Sequence, residues 1–202
     1  MNVKISALYM SIMLQIIFMS SGLATFKTGA VTQSPTTAQV IVQSPNLGTV
    51  PAFIEAAIPR AQVVGKSRLT MYFFKIYDAT LFAPMEQFNS SQPFALSLNY
   101  LRDFTGVDIA ERSIDEMQEL GYTDNAQLAQ WLEQMTLAFP NITQGDILTG
   151  IVDEQQHTLF YYNGVATHKI NDPQFTQAFF AIWLDPNTSQ PKMRKQLLGY
   201  SK

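Results

Sequence analysis

An arginine is always charged and presents a planar fork of donors that matches a carboxylate. Arg68 is placed for that use because an apolar run follows it: Leu69, Thr70, Met71, Tyr72, Phe73 and Phe74, leading into Lys75-Ile76-Tyr77-Asp78-Ala79-Thr80-Leu81-Phe82. A fixed cation beside an apolar wall is a receptor for an acid with an apolar tail. Arg68 is therefore a candidate ligand-binding residue, with Tyr77 in the stretch that follows. Their separation of nine positions sends side chains to opposite faces of an unbroken strand, so a shared grip requires a bulge or bend between them. The competing structural roles are plain: Arg68 as a partner of Asp78 or Asp103, Tyr77 as a core tyrosine, and Tyr72 to Phe74 as core packing.

Other chemistry is sparse. There are no cysteines, which removes disulfides, thiolate catalysis and cysteine-bound zinc. The two histidines, His157 and His168, have no second ligand at a helical metal spacing, so neither a metal nor a cofactor is expected. Glu111, Asp115 and Glu116 accompany Arg112 in a pattern that reads as a solvated helix face. No nucleophile elbow, phosphate-cradling glycine loop or dinucleotide fingerprint occurs. The net charge is −3 and the 13 lysines and arginines are scattered, which argues against a nucleic-acid partner.

The elements that must position these residues follow from pattern. A chain of 202 residues, 47% hydrophobic, supports one full core. Lys4, an apolar run over 5–19 and the small residues to Ala24 predict a signal peptide over 1–24, hence an exported, periplasmic protein; an uncleaved N-terminal anchor is the alternative. Residues 25–50, rich in Ser, Thr, Gln and Pro, read as a flexible tether, and the folded domain as 51–202, with no membrane span after cleavage. A short helical turn is predicted over 53–57 and extended chain over 63–82. Phe94, Leu96, Leu98 and Tyr100 alternate as one face of a strand. Asp108 is placed to cap a helix ended by Gly121, and Thr123 or Asp124 to start a second, closed by Pro140. Residues 146–152 and 157–162 read as a hairpin. Asn163-Gly164 is a tight turn into a strand over 165–170. Asp172-Pro173 starts a helix stopped at Asp185-Pro186, and a last helix runs from near Pro191 to Gly199. Strands, helices, strands and helices in that order predict an α+β fold with a mostly antiparallel sheet.

Several segments together resemble the chalcone isomerase-like family, in its bacterial exported branch. They are Arg68, the run Lys75 to Phe82, Tyr100-Leu101-Arg102-Asp103-Phe104 with Gly106, and Glu111-Arg112-Ser113-Ile114-Asp115-Glu116-Met117. Phe139-Pro140 leading to Gly145-Asp146, Phe160 with Asn163-Gly164, and Phe179-Phe180-Ala181-Ile182-Trp183-Leu184-Asp185-Pro186 complete the set. The resemblance implies an open-faced β-sandwich, a large antiparallel sheet packed by a helical layer with a ligand cleft between them. It also implies what the matched positions do. In the plant isomerases an arginine in the place of Arg68 binds a phenolate, and a threonine stands where this chain has Tyr77. Their tyrosine and asparagine fall at Ile109 and Glu116. Ile109 cannot donate a hydrogen bond and a carboxylate at position 116 repels a phenolate, so the oriented donors that isomerisation depends on are lost. In the fatty-acid-binding branch an arginine and a tyrosine hold a carboxylate, which Arg68 and Tyr77 match better, so the resemblance implies Arg68 and Tyr77 as the ligand-binding residues, the first anchoring the charge and the second orienting it. The expectation is a non-catalytic protein binding a small apolar acid, such as a fatty acid, in the sheet–helix cleft. The alternatives are an intramolecular lyase or isomerase of altered specificity, and an interaction protein whose cleft is filled by its own side chains.

Overall fold

A computed structural model of the chain describes residues 50–200. The signal-peptide and tether readings lie outside those residues, Val50 excepted. A short helix, α1 (Ala52–Ala57), precedes two long strands, β1 (Ala61–Met71) and β2 (Phe74–Pro84), and then β3 (Phe94–Tyr100). Two helices follow, α2 (Gly106–Glu119) and α3 (Asn125–Ala138). Three strands, β4 (Ile147–Val152), β5 (Thr158–Tyr162) and β6 (Val165–Ile170), lead to α4 (Pro173–Leu184) and α5 (Pro191–Leu197). The strands form one six-stranded sheet in sequence order, each antiparallel to the next. This is the α+β architecture expected, an open antiparallel sheet with a helical layer.

The alternation in β3 orients the sheet. Phe94, Leu96, Leu98 and Tyr100 turn inward and join Phe175, Phe179, Phe180 and Trp183 of α4, and Trp131 and Met135 of α3, in the main core. The opposite face holds a smaller cluster in which Ile54 and Ile58 cover Phe82, Ala95 and Ile151. The polar signals settle the ends of the elements. Asp172 caps α4, its carboxylate accepting from the Gln174 N–H, with Pro173 in the first turn. Asp124 caps α3. The cap of α2 is Thr105 and not Asp108: the Asp108 N–H donates to the Thr105 hydroxyl oxygen at 3.1 Å, so Asp108 lies already in the first turn.

The extended run over 63–82 proves to be two strands joined at Tyr72-Phe73. Tyr72 adopts φ +55°, the left-handed region that a tight hairpin demands. Neither residue is the glycine or asparagine that normally marks such a turn, which is why the sequence hides it. Tyr72 and Phe73 are 69% and 95% exposed, so the aromatic run is not core packing as expected; it is the tip of a protruding hairpin.

Candidate functional site

The pairing of β1 with β2 decides the two candidate residues. Arg68 lies opposite Asp78, and Leu69 opposite Tyr77. The irregularities in this ladder fall at Val63/Gly65 and Leu69/Thr70, and none brings Arg68 and Tyr77 to a common face. Tyr77 packs against the main core, whereas Arg68 projects from the opposite face with its side chain 45% exposed. There the guanidinium is gripped from both sides by one carboxylate: Nε donates to Asp78 Oδ1 at 2.5 Å and Nη2 to Oδ2 at 2.8 Å. That hydrogen bond and the charge of Asp78 hold the guanidinium above its ordinary pKa. The fork that would receive a ligand carboxylate is spent on an internal one.

Tyr77 stands at the inner end of the sheet in a network of its own. The Trp183 indole N–H donates to the Tyr77 oxygen at 2.9 Å, and the Tyr100 ring lies edge-on at 5.7 Å. Burial pushes the Tyr77 phenol up, the Trp183 hydrogen bond offsets part of this, and the charges of Glu116 and Arg112 act from nearby in opposite directions. Tyr100 is pushed up by burial first and by Tyr77 second. Both phenols are protonated at neutral pH, and the Tyr77 oxygen already accepts the Trp183 N–H. On α2, one helical turn apart, Arg112 Nη2 donates to Glu116 Oε1, and Ser189 donates to Glu116 Oε2 at 2.9 Å. Glu116 therefore ties α2 to the segment after α4. Ile109 is packed against the core.

Where α4 packs on β3 and β4, the space between sheet and helices is nearly filled. The void lined by Leu96, Leu98, Gly150, Phe180 and Trp183 measures about 10 Å³, room for a single water. Gly150 shows how it was filled. A Cβ there would lie 2.9 Å from the Phe180 ring, so the bare backbone lets α4 press its aromatics onto β4. Phe94 and Phe180 meet edge-on at 4.8 Å and Phe179 and Trp183 at 5.3 Å.

A larger hollow opens at the other end of the sheet. The β2–β3 connection and α5 enclose a groove of about 560 Å³, with Met85, Phe88, Gln92, Arg194, Leu198 and Tyr200 among its walls. Arg194 is the one charged side chain lining it among the described residues. Its Nε donates to the Leu184 carbonyl at 2.7 Å, anchoring the guanidinium to the end of α4 through a bond that does not use its two terminal nitrogens. The wall is fixed by close packing of α5 on β1. At Gly65 a Cβ would lie 2.1 Å from the Gln196 carbonyl oxygen, and Ser67 donates to the Gln196 side chain at 2.5 Å. Sequence reasoning passed over Arg194. The available signal was Pro191-Lys192-Met193-Arg194-Lys195-Gln196-Leu197, three cations on one short helix with no acid.

Other motif residues are structural latches. Asp146 accepts from the Thr143 backbone N–H and hydroxyl, from the Tyr162 hydroxyl and from the Asn163 amide, binding the start of β4 to the Asn163-Gly164 turn. Burial pushes its carboxyl up, but these hydrogen bonds together outweigh that and hold it below the usual carboxylate range. Asp103 accepts from the Gln144 N–H at 2.8 Å. A Cβ on Gly106 would lie 2.0 Å from the Phe139 carbonyl oxygen, which explains that glycine beside Phe139-Pro140. His168 Nε2 is 2.9 Å from the Gln134 side-chain oxygen, and His157 lies near Asp153. Among the described residues no group of three metal-ligating side chains occurs, and no helix is long and apolar enough to cross a membrane.

Residues 64–199 match the family described as chalcone isomerase-like. A protein of Haemophilus influenzae described as uncharacterized is 30% identical over 151 residues, 74% of each chain. Among solved structures, an Arabidopsis thaliana fatty-acid binding protein shares the fold with a TM-score of 0.52 at 9% identity, covering 71% of this chain and 90% of that one.

Proposed function

The chain belongs to the chalcone isomerase-like family, and on that premise we propose that it is a non-catalytic binding protein for a small acid with an apolar part, held in the groove between the β2–β3 connection and α5. The groove carries this reading: about 560 Å³ in volume, with Arg194 as its one lining charge among the described residues. That volume lies in the roughly 300–1,000 Å³ range of small-molecule sites. A guanidinium already anchored by one N–H loses little freedom when it takes a carboxylate on its remaining donors. Phe88 and Leu198 offer apolar contact, and Gln87 and Gln92 offer amides. The fatty-acid binding neighbour supports acid binding as a use of this architecture. Absence of isomerisation is supported by Ile109 and Glu116, which supply no neutral donor, and by the nearly filled sheet–helix layer beneath α4. Export, read from residues 1–24, belongs to the same proposal.

A second reading keeps the ligand in the sheet–helix layer, with Tyr77 as head-group donor. Its support is that Trp183 both bonds Tyr77 and walls the inner void, so one ring swinging aside would open the space beneath that hydroxyl.

Calorimetric titration with hexanoate, octanoate and benzoate tests the first reading. Binding of at least one acid, lost for its methyl ester and weakened tenfold or more by Arg194→Gln, is the expected result. Arg194→Lys keeps the charge without the fork and should fall between. Binding unaffected by Arg194→Gln but abolished by Tyr77→Phe would move the site to the inner layer. No binding of any acid would end both readings.

A further inference from the structure

The β1–β2 hairpin ends in three consecutive aromatic residues, Tyr72, Phe73 and Phe74, that are 69%, 95% and 45% exposed. Rings in that state lose the hydrophobic stabilisation that burial would give, and Tyr72 is held at positive φ to present them. Scattered exposed apolar side chains need no explanation, but three in succession on a projecting turn do. The surroundings are basic. Lys75 follows directly, and the Arg102 guanidinium lies 4.5 Å over the Phe74 ring. Neither forms an ion pair among the described residues. The carboxylates that neighbour them in the chain are engaged elsewhere, Asp78 by Arg68 and Asp103 by the Gln144 N–H.

We infer that this hairpin tip docks on an anionic lipid surface, with Tyr72, Phe73 and Phe74 entering the interface and Lys75 and Arg102 resting at head-group level. Exposed rings at the tip of a turn need no matching pocket to enter a bilayer. Aromatic residues favour the boundary between hydrocarbon and head groups, tyrosine above all because its hydroxyl stays wet. Cations beside the inserted rings add attraction to acidic lipids that falls off within a Debye length. Arg102 can stay on Phe74 while its outer edge meets a phosphate, because a guanidinium stacks through its face and donates through its rim. The docking is independent of the acid-binding reading. It leaves the Arg194 groove in water, since β2 runs from the tip to the groove over 11 residues, about 35 Å of extended chain.

Phe73→Trp in the full chain places a reporter at the tip, where its exposure leaves folding unaffected. The two native tryptophans are buried and form a constant background. Vesicles of mixed phosphatidylcholine and phosphatidylglycerol should shift the emission of the added tryptophan to the blue, and brominated acyl chains should quench it. Lys75→Gln with Arg102→Gln should weaken that partition about tenfold, and pure phosphatidylcholine should bind no better than this double variant. An added tryptophan that neither shifts nor is quenched with anionic vesicles overturns the inference, even if the chain sediments with them through its N-terminal apolar segment. A blue shift that grows with protein concentration in the absence of lipid overturns it too, and assigns the tip to a contact between copies.

Discussion

Replacing Trp183 by alanine removes a ring that helps fill the sheet–helix layer, and the structure sets the scale of the effect. Trp183 is 6% exposed, lines the inner void and donates its N–H to Tyr77. A buried Trp→Ala change costs about 3–5 kcal/mol, of which an unrelaxed cavity of ~100 Å³ contributes about 2.4 kcal/mol at ~24 cal/mol per Å³. Trp183→Phe keeps most of the ring and forfeits chiefly the hydrogen bond, at about 0.5–1.5 kcal/mol. The gap between these two variants isolates the packing contribution. Urea unfolding of the full chain measures both. Indole added to Trp183→Ala should refill the hollow, returning about 2.7 kcal/mol at a hundredfold excess over its Kd, while leaving the parent protein's midpoint unchanged. A loss below about 1 kcal/mol for Trp183→Ala, or an equal response of the parent to indole, would show that the layer was never filled there, and the case for placing the ligand outside it would fail.

Gly65→Ala should lift α5 from β1, because its Cβ would meet two backbone carbonyls, at 2.1 and 2.4 Å. A cost of about 1–3 kcal/mol by urea unfolding is expected, along with weaker acid binding in the groove that α5 walls. A variant as stable as the parent would contradict the described contact. Asp146→Asn should cost about 1–3 kcal/mol near neutrality, toward the lower end because the group is partly solvated. The folded-state pKa is depressed, so the carboxylate's contribution is complete above the ordinary carboxylate pKa of 3.8 and disappears as the pH falls through the lowered folded value. The difference between parent and variant should therefore narrow only below about pH 4, and a gap constant to pH 2 in thermal melts would refute the assignment. Arg68→Ala should leave acid affinity unchanged in titration calorimetry, since its guanidinium is paired with Asp78 on the face away from the core; a loss of affinity would return the site to that face.

What could be read from the sequence was the local part. Alternation in Phe94 to Tyr100 names an inward face because β geometry has a period of two, and that face is the one in the main core. Asp172-Pro173 and Asn163-Gly164 mark a helix start and a turn because few residues satisfy those backbone requirements. The quoted segments together identified the family. Tertiary structure alone decided the geometry of the candidate site. Whether Arg68 and Tyr77 meet depends on strand register and on a turn that Tyr72 and Phe73 make without the usual residues. Whether the layer is open depends on α4 settling against Gly150, a contact between segments 30 residues apart. The Arg194 groove exists because α5 folds back to the β2–β3 connection, more than 100 positions earlier in the chain. Backbone preferences act over a few residues and so leave a trace in their types, whereas the facing of a side chain and the volume of a hollow are set by which distant surfaces pack together.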